Sequence, residues 1–209
     1  MLENNCRKFI DTLASKAPVP GGGGACAYVG ALGMALGSMV GNLTIGNSKY
    51  ADVQEDVKDL LTQSSNIIEA LKEFVAKDAE CFYPLIQAYK LPRDTDDEKK
   101  YRNDTIQEKL KDASTVPLEI ARCCARAITL HEQFAKKGNL MAISDIGVGA
   151  AFCEAALRGA KLNVLINTSQ IKNEALKNDI EKEIMDIEKE FVNKSKIIFS
   201  YVENIITRR

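Results

Sequence analysis

The sequence has very few of the side chains on which common catalytic sites are built. Its 209 residues include a single histidine, His131, and no tryptophan. Its six cysteines form no CxxC pair, and no HExxH, nucleophile-elbow or P-loop motif occurs. These absences exclude a histidine-rich metal site, and a chain of this length does not need disulfides to fold. We therefore expect no metal, reduced core cysteines and a structural role for His131.

The chain has a formal net charge of only −1, and its first residues do not predict a secretory leader. Lys and Arg total 28 against 29 Asp and Glu, so the chain as a whole has no strong field to attract nucleic acid. The first residues, MLENNCRKFIDTL, carry charges where a signal peptide would have its apolar region. We expect a cytoplasmic protein that does not bind nucleic acid.

One stretch, residues 24–48, contains no charged residue and is long enough to span a membrane. Gly33, Gly37 and Gly41 follow one another at four-residue spacing within it. It consists mainly of Gly, Ala, Ser, Asn and Thr, which drive insertion into lipid only weakly. We therefore expect a buried helix with a Gly/Ala face and no membrane association.

Apolar residues recur at helical spacing along most of the chain, and no segment shows sustained two-residue alternation. The periodicity predicts an all-α, single-domain bundle with long helices that covers residues 1–209. The expected helices cover about residues 6–15, 25–45, 50–89, 98–111, 115–137, 140–162 and 173–207, with Pro84 as a possible kink and Pro117 in a first turn.

Asp78 lies in the apolar stripe of the third predicted helix. It follows Val75 by three residues and precedes Phe82 by four, so a carboxylate occupies a core position. Burial disfavours the charged form and raises the pKa of an acid, which suits a general base or acid near neutral pH. The alternative is a purely structural carboxylate with a partner in the core.

Two further groups of polar positions could bind a ligand. Gly21, Gly22, Gly23 and Gly24 precede a predicted helix, so their N–H groups could hold an anion or a carbonyl oxygen, although a tight turn would need the same residues. The other candidates are amide, hydroxyl and charged side chains near predicted helix ends: Lys49, Asn139, Ser144, Asp145, Asn163 and Asn167. Helix capping is the alternative for several of them.

An ordered set of short motifs makes the chain resemble the cyclodeaminase/cyclohydrolase family, which includes the C-terminal domain of formiminotransferase-cyclodeaminase and stand-alone methenyltetrahydrofolate cyclohydrolases. The motifs are APVPGGGG (17–24), ALGSMV (35–40), DAE (78–80), KLP (90–92), VPL (116–118), GN (138–139) with SD (144–145), and NVLIN (163–167). Gly24 departs from the pattern, because a serine commonly follows the first three glycines. Since a predicted helix begins at the N-terminus, we expect the stand-alone form.

The resemblance implies a helical homodimer that binds folate near the glycines and helix starts, with no metal, no nucleotide and no cofactor beyond the tetrahydrofolate substrate. It also implies that Asp78 is the essential acid or base. The expected activity is hydrolysis of 5,10-methenyltetrahydrofolate to 10-formyltetrahydrofolate. The alternatives are a cyclodeaminase, which releases ammonia from 5-formiminotetrahydrofolate, and a non-catalytic folate-binding helical module.

Overall fold

The computed structural model describes residues 6–208, and all regular secondary structure in this part of the chain is helical. The helices are α1 (Cys6–Leu13), α2 (Gly22–Asn42), α3 (Gln54–Tyr89), α4 (Asp96–Lys137), α5 (Ile143–Thr168) and α6 (Glu174–Thr207), with 3-10 turns at Ser48–Val53 and Leu140–Ala142. The all-α prediction is confirmed. The predicted domain limits, residues 1 and 209, lie outside the described residues.

Helix α2 packs against α3, α4 and α5. Its glycines let the neighbouring backbones approach closely, as the Gly/Ala pattern predicts: a Cβ atom on Gly33 would lie 2.9 Å from the carbonyl oxygen of Gly149 on α5. His131 of α4 is fully buried beside this crossing, and its ring nitrogens lie 2.8 Å from Ala127 O and 3.1 Å from Gly33 O. Burial lowers its pKa.

The prediction of two helices over residues 98–111 and 115–137 is wrong, because α4 is one helix of 42 residues. It begins with a capping box between Thr95 and Glu98 and continues through Pro117. The Ser114 hydroxyl donates 2.7 Å to Leu110 O inside the helix and caps nothing. Packing against α3, α5 and α6 along its length outweighs the cost of the proline.

Two predicted helix limits are also corrected. Helix α2 begins at Gly22, so Gly22, Gly23 and Gly24 form its first turn and are not loop residues. Helix α5 continues to Thr168, so residues 163–167 belong to it and are not a separate apolar run. The glycine motif and the asparagine motif are therefore both part of helices.

The predicted first helix is confirmed as α1, but only its Phe9 is buried, whereas Ile10 and Leu13 are exposed. The cysteines carry free thiols, as predicted. Cys123, Cys124 and Cys153 are buried in the core as predicted, and Cys26 and Cys81 are half-buried. The prediction of a core position is wrong for Cys6, which is exposed at the start of α1.

Residues 22–42 and 140–168 are each long and apolar enough to cross a membrane by length and composition, and half of each apolar window is buried against other helices. The outward sides of α2 and α5 carry a stripe of exposed apolar side chains. We call it the apolar stripe, and it consists of Leu32, Met39, Leu43, Val148, Phe152 and Leu162. The high hydropathy of these helices thus reflects a buried face and an apolar exposed face together.

Candidate functional site

Asp78 of α3 lies against the first turn of α2. Its Oδ2 atom accepts a hydrogen bond of 2.9 Å from the backbone N–H of Gly24. A Cβ atom on Gly23 would overlap the carboxylate, so glycine is required there by close approach and not by an unusual backbone angle. The positive end of the α2 dipole and a free N–H thus hold a carboxylate that is partly buried.

A cavity of about 360 Å³ opens beside this carboxylate, between the start of α2 and the facing sides of α3, α4 and α5. Its volume lies in the range of small-molecule sites. Of the described residues that line it, Asp78 alone is charged; the others are Gly21, Gly22, Gly23, Cys81, Phe82, Leu85, Tyr89, Ala113, Val116, Pro117, Asn163, Ile166, Asn167 and Gln170. The cavity is therefore apolar apart from one carboxylate and a few amides and N–H groups.

Burial raises the pKa of Asp78 above its usual range, and the hydrogen bond from Gly24 partly opposes this shift. Burial and the nearby Asp78 charge raise the pKa of the Cys26 thiol to about 11, and burial also raises the pKa of Cys81. Both thiols are protonated at neutral pH and are poor nucleophiles. Asp78 is thus the lining residue best suited to accept a proton.

The α3 side of the cavity follows from helical spacing. Phe82, Leu85 and Tyr89 come four, seven and eleven residues after Asp78, so all four side chains lie on one face of the helix. The Tyr89 hydroxyl donates 2.5 Å to Gln170 Oε1 and joins the end of α3 to the segment after α5. The sequence analysis placed Phe82 in the apolar stripe and did not single out Leu85 or Tyr89, although the same helical spacing from Asp78 indicates all three.

The α5 side of the cavity carries Asn163 and Asn167, one turn apart. Asn163 Nδ2 donates 2.9 Å to Gly159 O, and Asn167 Nδ2 donates 2.8 Å to Ala113 O on α4. Neither Oδ1 atom has a hydrogen-bond partner among residues 6–208. Both asparagines thus offer an Oδ1 acceptor to a ligand, while one of the two N–H donors on each Nδ2 is already used.

Lys49, Asn139, Ser144 and Asp145 do not line this cavity. Asn139 lies at the far end of α2, about 30 Å from Gly22 by the helical rise. It donates from Nδ2 to Leu43 O at 3.0 Å and accepts at Oδ1 from Met141 N at 3.0 Å, so its amide is used in capping.

The other three residues lie near the same end of the molecule. Lys49 is exposed in the turn Ser48–Val53, and Asp145 lies in the first turn of α5. Ser144 lines a different, apolar cavity beside α6. The fold therefore brings together Asp78, the glycines at the start of α2 and the two asparagines of α5. The other four predicted site residues lie away from this cavity.

Known proteins similar to this chain identify its family. The family model described as Formiminotransferase-cyclodeaminase matches residues 5–186. The methenyltetrahydrofolate cyclohydrolase of Methylorubrum extorquens is 47% identical over 176 residues, which cover 84% of this chain and 85% of that protein. The formimidoyltransferase-cyclodeaminase of Mus musculus is 30% identical over 203 residues, 97% of this chain but 38% of that protein.

The fold has a close counterpart among solved structures. The crystal structure of formiminotetrahydrofolate cyclodeaminase from Thermotoga maritima superposes with a TM-score of 0.87 at 28% sequence identity, and the match covers 97% of this chain and 98% of that one. The residues matched by the family model, 5–186, include all the residues that line the described cavity. The chain belongs to the formiminotransferase-cyclodeaminase family.

Proposed function

We propose that the protein is a methenyltetrahydrofolate cyclohydrolase, which hydrolyses 5,10-methenyltetrahydrofolate to 10-formyltetrahydrofolate. The observation that carries the proposal is one carboxylate, Asp78, held at a helix start in a cavity whose other described lining residues are uncharged. The 47% identity to a protein of that name supports it. We infer that tetrahydrofolate itself is the only cofactor-like group and that no metal takes part.

The charge of the substrate fits this cavity. The methenyl bridge joins N5 and N10 as an amidinium cation, so the bound reacting group carries one positive charge. Asp78 is the single lining carboxylate that can balance it. A cation beside a carboxylate lowers its pKa and opposes the effect of burial, so substrate binding favours the ionised form of Asp78 that can accept a proton.

Hydrolysis then needs one proton acceptor that later becomes a donor. Asp78 takes a proton from water as the water oxygen bonds to the methenyl carbon, which gives a neutral tetrahedral adduct. The bond from that carbon to N5 breaks, N5 receives the proton from Asp78, and the adduct hydroxyl loses its proton to solvent. The products are 10-formyltetrahydrofolate and one proton. The N–H groups of Gly22 and Gly23 lie at the helix start to stabilise charge on the oxygen.

A cyclodeaminase is the second candidate, favoured by the match to the Thermotoga maritima structure. In that reaction N10 attacks the formimino carbon of 5-formiminotetrahydrofolate, and ammonia leaves. Asp78 would carry a proton from N10 to the departing nitrogen. Both reactions pass through a tetrahedral carbon at the same position, so the same carboxylate serves either.

We also propose a cytoplasmic homodimer in which a second copy covers the apolar stripe. Leu32, Met39 and Phe152 are exposed on two adjacent helices, and a contiguous apolar surface of this kind is typical of an interface. Phe152→Glu should give monomers in analytical ultracentrifugation. Tyr101→Glu, at an exposed aromatic position on α4, is the matched control and should stay dimeric. A monomeric wild-type protein would disprove the proposal.

The activity is tested by following loss of the methenyl chromophore against the uncatalysed rate, with Asp78→Asn as the control. Acceleration by the wild type and not by the variant supports the cyclohydrolase. Ammonia release from 5-formiminotetrahydrofolate without chromophore loss would assign the cyclodeaminase instead. Folate binding without either reaction would indicate a binding module.

A further inference from the structure

Pro117 lies in the middle of α4 and has no backbone N–H to donate. The carbonyl oxygen that would accept it belongs to Ala113, four residues earlier. Ala113 is buried, with 5% of its surface exposed, so bulk water has little access to this oxygen. Asn167 of α5 supplies the missing donor, with Nδ2 2.8 Å from Ala113 O. The proline of one helix thus creates the acceptor for an amide of another.

Pro84 in α3 provides a contrast. It also lies inside a helix and leaves the carbonyl oxygen of Glu80 without its N–H. Both Pro84 and Glu80 are exposed, so water can reach this position. The pairing with an amide therefore occurs at the proline that lines the cavity, and not at every proline inside a helix.

The contact fixes which end of the Asn167 amide faces the cavity. A carbonyl oxygen only accepts hydrogen bonds, so the amide nitrogen must point towards Ala113 and the oxygen must point elsewhere. Asn167 is 8% exposed and lines the cavity, and its Oδ1 has no partner among the described residues. One turn earlier, Asn163 also has its Nδ2 engaged, by Gly159 O of its own helix. The α5 wall thus presents two amide oxygens, each beside an Nδ2 atom that has one of its two N–H groups engaged.

We propose that Pro117 is a positioning residue for substrate. Because Pro117 has no N–H, Ala113 O accepts a hydrogen bond from Asn167 Nδ2 instead. The Oδ1 atoms of Asn167 and Asn163 then accept hydrogen bonds from the N–H and amino groups along one edge of the reduced pterin ring. The inference rests on the proposed function because that function supplies the pterin. Restoring an N–H at residue 117 gives Ala113 its own helical partner and frees the Asn167 amide to turn.

The test is a double-mutant cycle read by calorimetric binding of 5-formyltetrahydrofolate, a ligand that retains the pterin donors. Asn167→Ala should weaken binding about tenfold and Pro117→Ala about three- to tenfold. The double variant should bind no more weakly than Asn167→Ala, because Pro117 acts only through that amide. The matched control, Pro84→Ala, should keep wild-type affinity.

Thermal unfolding of the same proteins gives an independent readout. Asn167→Ala orphans the buried Ala113 carbonyl and should lower Tm by about 5 °C, whereas adding Pro117→Ala should restore most of that loss. Should Asn167→Ala fail to fold, the double variant must still fold. A double variant that is no more stable than Asn167→Ala overturns the proposal.

The binding results separate this inference from the proposed function. Two results overturn the positioning role alone: wild-type affinity in Pro117→Ala, or a further loss of affinity when Pro117→Ala is added to Asn167→Ala. In the first case the proline ring has no effect on binding, and in the second it acts by direct contact with the ligand. Absence of wild-type binding overturns both. Binding with the expected cycle but without turnover of either folate substrate leaves the positioning role standing and overturns the proposed function.

Discussion

Asp78 and Gly23 approach each other so closely that no side chain fits between them: a Cβ atom on Gly23 would overlap both carboxylate oxygens. The next N–H along the helix, that of Gly24, donates to Oδ2. The carboxylate thus contacts the glycine backbone at the start of α2 directly, and the cavity lies on its other side. Activity and stability should both respond to this contact.

Asp78→Asn should lower kcat by at least about 10²-fold, because the amide keeps the volume but cannot accept the proton. It should also stabilise the fold at pH 7 to 8. Burial raises the folded-state pKa of Asp78, so the stability that this group contributes is present at low pH and lost as pH rises through that pKa. Chromophore assays and thermal unfolding across pH 4 to 8 measure both effects. A variant with wild-type turnover would remove Asp78 from the mechanism.

Gly23→Ala should lower kcat/KM by about 10²-fold or more, because the methyl group must displace the carboxylate from its seat. Gly24→Ala is the matched comparison: the nearest atom to its Cβ is Val75 O at 3.4 Å, which is ordinary contact. Its effect should be much smaller. Equal losses in the two variants, measured by steady-state kinetics, would show that general helix disruption and not the Asp78 contact is responsible.

The pH dependence of kcat/KM should rise through the pKa of Asp78 in the free enzyme, which burial places above the usual aspartate range. Gly24→Ser should move this limb to lower pH. Its Cβ would lie 3.9 Å from Asp78 Oδ2, so a hydroxyl there can donate to the carboxylate and stabilise its charged form. A limb that does not move, or that moves to higher pH, would contradict this account.

Gly149→Ala should destabilise the fold by about 3 kcal/mol or more in urea unfolding, because its Cβ would overlap His131 Nε2 and lie 2.8 Å from Gly33 O. Backbone and a buried ring cannot move aside as a flexible side chain can. Gly147→Ala in the same helix meets only Val202, at 3.1 Å, and should change stability by within about 1 kcal/mol. Similar stabilities for the two variants would rule out a tight α2–α5 crossing.

The fold class followed from periodicity, but two helix limits did not. Pro117 and its preceding Ser114 and Thr115 have the signature of a helix start, yet α4 passes through them. The reason is tertiary, since a buried helix face and an amide from Asn167 offset what the proline removes. Likewise, four successive glycines favour a loop locally, whereas Gly22, Gly23 and Gly24 form the first turn of α2, where the carboxylate of Asp78 lies directly against Gly23.

The sequence by itself determined the helices, the glycine faces that let them pack closely, and a carboxylate at a core position of α3, because these depend on spacing along one chain. Its family motifs also pointed to the right family. Only the tertiary structure decided which polar residues share a cavity, because helices of 21 to 42 residues carry their two ends far apart. Asn163 and Asn167 thus meet Asp78, while Asn139 and Ser144 lie at the opposite end of the same helix pair.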